Sequence, residues 1–234
     1  MGHPPHFTGQ RRPPAWDNAG MQTNAPLSRV LTVAVLAVAV GLGVVAARRW
    51  LQAPPPPPEF RSAAVYAEPR VLPNVELATA GGRQGPATTL LQGRWRLVFF
   101  GFTHCPAVCP GAMTTLDHVA RELAQTPGTP QPIITLISVD PRRDTPEVVA
   151  NYARHFNPAF EGYSGTEAAI DELVGVVGIA VMRGTPDANG DYMVDHTSAV
   201  FVLDPQSRVR GILTSPLTVA NLVHDYRLVA GAQP

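Results

Sequence analysis

Residues 95–125 read WRLVFFGFTHCPAVCPGAMTTLDHVARELAQ, and the change of pattern inside this stretch decides the fold. Trp95 to Phe102 is a nearly continuous apolar run rich in aromatic and branched side chains, the mark of a strand covered on both faces. From Met113 the apolar residues recur as Leu116, Val119, Ala120 and Leu123, which is helical spacing, and TPGTPQP at 126–132 stops the helix. Between strand and helix sit Cys105 and Cys109, the only cysteines in the chain, each followed by proline.

A strand-to-helix turn is where α/β sheets place ligand and catalytic groups. The helix N-terminus offers unpaired N–H groups and partial positive charge, both of which favour thiolate over thiol. A spacing of four puts both sulfurs on one side of a helical turn, within reach of each other or of one shared atom. A purely structural disulfide closing so short a loop constrains the unfolded chain little. The pair therefore reads as redox-active or metal-binding.

Outward from this turn, strand-like and helix-like segments alternate. NVELAT at 74–79 reads as a strand, and IITLISVD at 133–140 as a second buried strand. Thr145 as N-cap, Pro146 at the first helical position and Glu147 in the first turn open a helix over DTPEVVANYARHF. TEAAIDELVGVVG at 166–178 is a further short helix. The segment from Ile179 to Asp204 reads as paired strands joined by the turn residues DANGD, followed by a strand at VRGIL and a closing helix over SPLTVANLVHDYRLVA. Strands separated by helices, with a hairpin late in the chain, imply an α/β domain with a mixed central sheet flanked by helices.

Ahead of this domain, Val30 to Ala47 is apolar apart from Thr32, with Arg29 before it and Arg48 and Arg49 after it. Eighteen helical residues span about 27 Å, close to the hydrocarbon thickness of a bilayer. A cleaved signal peptide is the competing reading, but its apolar region is usually shorter and its charged leader is not some 29 residues long. Arginines flank the run on both sides, so the positive-inside rule does not orient it. The division expected is a disordered Pro- and Gly-rich tail at 1–28, a transmembrane anchor at 29–49, a stiff spacer at 50–68 built on Pro54 to Pro58, and a domain at 69–234. His3 and His6 belong to the solvated tail.

Charge is balanced at 18 basic and 18 acidic residues, so there is no basic footprint for nucleic acid. All 18 basic residues are arginine, which with 25 prolines suggests a GC-rich bacterial genome. Two thiolates make an incomplete metal site, so a third donor is sought among the histidines. His104 adjoins Cys105 and points to the opposite side in an extended segment. His118 is about 13 Å along the helix from Cys109. His155 and His224 fall on polar helix faces. His196, in DYMVDHTSAVFVLDP, stands at the mouth of an apolar strand, where a loop can face a neighbouring strand-to-helix turn.

With FFGFTHCPAVCP at 99–110, ISVDPRRDTPEVVANYARHFNPAFEGYSGT at 137–166 and DHTSAVFVLDP at 195–205, the domain resembles the Sco/SenC family, from about Val71 to Val229. The resemblance implies a thioredoxin-like fold carried on an N-terminal transmembrane helix. It implies a copper-binding protein that assists cytochrome c oxidase assembly, with Cys105, Cys109 and His196 as metal ligands. Many members carry Asp between the cysteines where this chain has Ala107, a loss expected to weaken binding of Cu(II) relative to Cu(I). Asp140 and Asp144, in DPRRDTP, match a family loop and brace it or support the site from behind.

Two thiolates and an imidazole form a soft donor set suited to Cu(I), and to Cu(II) with an added oxygen ligand. The expected function is a membrane-anchored metallochaperone, a carrier rather than an enzyme, in a bacterial inner membrane with its domain in the periplasm. Its expected partners are the membrane, an oxidase subunit with a copper site, and an upstream copper donor or thiol reductant. The alternative is a thiol–disulfide oxidoreductase that keeps such a subunit's cysteines reduced, using Cys105 and Cys109 without His196. A thioredoxin-like peroxidase is disfavoured, because no Arg/Thr arrangement surrounds Cys105 to stabilise a peroxide.

Overall fold

The computed structural model describes residues 25–51 and 59–231. Most of the expected tail, His3 and His6 included, and Pro54 to Pro58 lie outside the described residues. The chain divides into two units, Met1–Pro57 and Pro58–Pro234. In the first, α1 (Ala25–Leu51) is a single helix that takes in the last four residues assigned to the tail. Its side chains from Leu27 onward are exposed, those between Arg29 and Arg48 are apolar apart from Thr32, and it is long and apolar enough to cross a membrane.

In the second unit the strands are β1 (Ala63–Val71), β2 (Glu76–Ala78), β3 (Gln84–Pro86), β4 (Arg96–Gly101), β5 (Ile133–Ser138), β6 (Glu161–Gly165), β7 (Val181–Arg183), β8 (Val194–His196), β9 (Val200–Leu203) and β10 (Arg208–Leu213). The helices are α2 (Ala87–Leu90), α3 (Val108–Ala124), α4 (Pro146–Phe156), α5 (Glu167–Val177) and α6 (Val219–Gly231). One mixed sheet runs β1-β10-β9-β4-β5-β6-β2-β3, and β7 and β8 form a separate two-stranded ribbon. Parallel pairing joins β4 to β5 and β5 to β6, while β4–β9 and β9–β10 are antiparallel.

β4 lies in the middle of the sheet because all six of its residues are buried. The one charged member, Arg96, is satisfied by the Leu91 carbonyl at 2.8 Å, Thr135 Oγ1 at 3.0 Å and Glu161 Oε2 at 2.7 Å. That pairing outweighs the burial of Glu161 and holds its carboxyl below the usual range. α3 packs against α6 and α4, with Met113, Leu116, Val119 and Leu123 fully inside. α4 begins as its sequence dictates, Thr145 Oγ1 accepting from Val148 N, and Thr166 caps α5 in the same way.

Three strands, β1, β3 and β6, are absent from the sequence expectation. β6 is EGYSG, poor in strand-forming residues, yet its middle three are buried. A Cβ on Gly162 would lie 2.4 Å from the Val149 carbonyl oxygen, so glycine is what lets α4 close onto this strand. β1 covers Ala63–Val71, so the folded unit begins before the boundary expected at residue 69 and takes residues 63–68 from the spacer. Its start is held by Asp225 of α6, fully buried, whose carboxylate accepts from the N–H groups of Arg61 at 2.9 Å, Ser62 at 2.6 Å and Ala63 at 2.8 Å.

Candidate metal centre

The chain leaves β4 at Gly101 and turns into α3, bringing both cysteines to the sheet's carboxyl edge. A Cβ at Gly101 would stand 2.8 Å from the Phe99 ring and 3.1 Å from Cys109 Sγ, so its absence makes room for that sulfur. Cys109 is fully buried in the first turn of α3, and Cys105 is half-buried in the loop before it. The N-cap of α3 is Ala107, which has no side chain to take the helix's free N–H groups. Cys105 Sγ takes one instead, accepting from Cys109 N at 3.3 Å.

The two thiols are therefore unlike. Burial pushes the Cys105 thiol up, but the N–H groups of Cys109, Ala107 and Val108 outweigh it, and the net shift is downward. Burial also pushes up Cys109, to about 12, with only the Phe102 backbone in opposition and the nearby Cys105 and Asp144 adding to the rise.

His196 ends β8, 87 residues away, and its Nε2 faces Cys109 Sγ at 3.8 Å. Nδ1 lies 3.2 Å from the Thr197 carbonyl oxygen, which can only accept, so Nδ1 carries the proton and Nε2 presents its lone pair to the sulfur. The ring meets Phe99 and Phe102 edge-on, with centroids 6.1 and 6.0 Å away. Burial holds its pKa below the ordinary value against the pull of the Thr197 carbonyl and Asp195, so the imidazole is neutral at pH 7. Cys105 and His196 line one cavity of about 230 Å³ together with Phe102, Val108 and Met193.

Asp140 and Asp144 are fully buried and absent from that lining. Asp144 accepts from Thr103 N at 2.9 Å, Thr103 Oγ1 at 2.5 Å and Ser138 Oγ at 2.6 Å, pinning the loop two residues before Cys105. Asp140 accepts from Arg143 Nε at 2.6 Å and from the Tyr192 hydroxyl. The Arg143 guanidinium stacks 3.8 Å over the Tyr192 ring, so β5 is tied to the segment leading into His196. The two carboxylates brace the loops around the site, and the cap of α4 is Thr145, as its sequence predicts.

His104 turns away, its Nδ1 3.1 Å from Thr103 Oγ1. His118 and His155 are exposed on their helices. His224 is part-exposed and is also paired with Asp225 at 2.9 Å. Tyr192 and Met193 were not singled out from the sequence. An aromatic four residues before His196 was the available signal for Tyr192, and its link to Asp140 spans 52 residues. Among the described residues, no three His, Cys, Asp or Glu side chains already converge as ligands on one point. The donors nevertheless fit a soft metal: one Cys–His pair is in contact, and the second sulfur opens onto the same cavity as the imidazole.

The family model described as SCO1/SenC matches residues 74–230. The human protein named "Protein SCO1 homolog, mitochondrial" is 37% identical over 113 residues, covering 48% of this chain and 38% of that protein. The chain thus spans about two fifths of the length of that relative. A solved structure of Bradyrhizobium japonicum ScoI with copper bound is 30% identical, covers 67% of this chain and 98% of that one, and superposes with a TM-score of 0.57. The solution structures of apo Sco1 from Thermus thermophilus are 29% identical, cover 72% of this chain and 96% of that one, and give 0.61. The fold is thus the thioredoxin-like one that the sequence implied.

Proposed function

The chain belongs to the SCO1/SenC family, and from that premise we propose that it is a membrane-anchored copper carrier that delivers the ion to a copper site of cytochrome c oxidase. Cys105, Cys109 and His196 are the ligands. The observation that carries this reading is the approach of His196 Nε2 to Cys109 Sγ at 3.8 Å, with Cys105 on the same cavity. The copper-bound state of a relative 30% identical supports it.

The neutral imidazole needs no deprotonation to bind. Each thiol releases its proton to water as its sulfur becomes a ligand, so uptake strengthens as pH rises. Copper is cargo: it leaves by ligand exchange onto the acceptor's donors, and once an external disulfide has taken two electrons and two protons from the pair, the resulting Cys105–Cys109 disulfide switches the carrier off. In this reading α1 is the anchor, the prolines are the spacer, the spacer ends before β1, and the domain works in the bacterial periplasm.

One observation favours a second reading. A lowered Cys105 beside a raised Cys109 is the asymmetry of a thiol–disulfide reductant. There, Cys105 thiolate attacks a partner disulfide and Cys109 resolves the mixed disulfide, leaving the partner reduced and this pair oxidised. Oxidase-assembly activity of His196→Ala in cells decides between them. The carrier loses activity with this change, as it does with either Cys→Ser change. Full activity of His196→Ala alongside inactive cysteine variants would establish the reductant and sink the carrier.

A further inference from the structure

Among the described methionines Met113 is fully buried, while Met182 and Met193 are 68% and 55% exposed. Both exposed ones lie on the ribbon that carries His196. Met182 pairs across the strands with Asp195, and Gly184 N donates to the Met193 carbonyl at 2.8 Å, which extends the ladder by one step. Met193 and Asp195, two apart, share a face of their strand, so Met182 and Met193 are diagonal neighbours with backbones about 7–8 Å apart. Val194, between them in sequence, is buried at 3% exposure. Apolar burial accounts for neither methionine.

Met193 also lines the cavity shared by Cys105 and His196. A thioether is a soft, polarizable, uncharged donor that suits Cu(I) and binds without losing a proton. Asp195 lies opposite Met182 on the strand that also carries Met193, and Asp187 and Asp191 line the adjoining depression with Met193, where Arg143 and His104 also stand.

We propose that Met193, with Met182 beside it, is an entry site that captures Cu(I) at the mouth of the cavity and passes it inward to Cys105, Cys109 and His196. The proposal rests on the copper-carrier reading and adds a route to it. No electrons change hands. A Cu–S bond to Met193 forms as a bond to the donor's ligand breaks, then Cu–S bonds to the cysteines form as the thioether lets go, and the thiol protons leave to water. The thioether binds without losing a proton, so it can hold the ion while Cys105, Cys109 and His196 replace the donor's ligands.

The test uses the full chain in detergent with its cysteines reduced, and the coloured Cu(I)–bicinchoninate complex as probe in stopped flow. Met193→Leu is expected to slow loading about tenfold, the low end of what loss of an auxiliary metal contact costs. Met182→Leu is expected to slow it less. Affinity from chelator competition should fall less than the rate. Unchanged rates in both variants overturn the proposal, as does a tenfold loss of affinity at unchanged rate, which would make Met193 a resident ligand.

A second measurement is independent of the cysteines. In the full chain with Cys105→Ser and Cys109→Ser and with ¹³C-methyl methionine, Ag(I) should shift the Met193 and Met182 methyl signals and leave Met113 in place. Absence of a shift at Met193 overturns the entry site. Failure of the unaltered chain to take up Cu(I) would instead remove the carrier reading, while the silver titration still decides the methionine site.

Discussion

The Tyr192 hydroxyl donates to the buried carboxylate of Asp140, joining the loop after β5 to the segment that carries His196. The ribbon that carries His196 is held down near its turn, by Tyr192 on one strand and by Arg183 on the other. Arg183 donates to the Val139 carbonyl at 3.1 Å and to Asp171 at 2.9 Å.

Tyr192→Phe removes a hydrogen bond to a charged acceptor and is expected to cost about 1.5–3 kcal/mol of stability. Copper affinity should fall about tenfold, because the group orienting a ligand is lost while the ligand remains. Thermal melting and chelator competition on the full chain check the two effects. Unchanged affinity would mean that His196 is positioned without this tie.

The thiols should differ in reactivity. With Cys105 below its usual 9.0 and Cys109 near 12, the thiolate fractions at neutral pH differ by at least about a thousandfold. Lower nucleophilicity of the more acidic thiol offsets about half of that on a logarithmic scale, leaving Cys105 faster by more than about thirtyfold. Mass spectrometry after brief iodoacetamide treatment at neutral pH should find the label on Cys105. Equal labelling would contradict the buried, raised Cys109.

Alkaline pH should destabilise the metal-free protein. Cys109, Tyr152 and Tyr163 each have a folded pKa of about 12, raised first of all by burial from 9.0 for the thiol and 10.0 for the phenols. Below pH 9 these groups are protonated in both folded and unfolded chains. Between pH 9 and 12 the unfolded chain ionises them and the folded chain resists, so stability drains away as pH rises. Melting temperatures of the metal-free protein should fall between pH 9 and pH 11, and Cys109→Ala should flatten the first part of that fall.

Ala107→Asp supplies the cap that α3 lacks. The third helical residue is Pro110, without an N–H, so the new carboxylate finds its donor in Cys109 N, which now serves Cys105 Sγ. Cys105 then loses its main support as a thiolate and gains a negative neighbour. Its alkylation should slow several-fold at neutral pH, and Cu(II) should be retained better relative to Cu(I). Faster alkylation would refute this account of the position.

What was legible in the sequence was local. The runs that became β4 and β5, the Thr145 cap, the helix over 166–178 and the Cys105–Cys109 turn all announce themselves within a dozen residues. His196 was recognisable as a strand-mouth histidine and, through the family resemblance, as a ligand. β6 was not visible, because its burial depends on a glycine meeting a helix backbone rather than on apolar side chains. β1 was hidden by its edge position, where AAVYAEPRV keeps little alternation and tolerates a proline. The Tyr192–Asp140 tie and the paired methionines are contacts between distant or cross-strand residues, and no local pattern records them.

The Asp225 clamp on Arg61, Ser62 and Ala63 has a mechanical side. After Phe60, which packs against the core, these residues are the first of the folded unit to meet any pull arriving along the chain from its amino-terminal side. Such a load falls on a buried carboxylate gripping three successive backbone N–H groups, and next on the outermost strand of the sheet. β10 and β9 stand between that strand and β4, whose end carries the thiols. Tension arriving from that side is thus absorbed at the rim, and the Cys105–Cys109 turn is shielded from it.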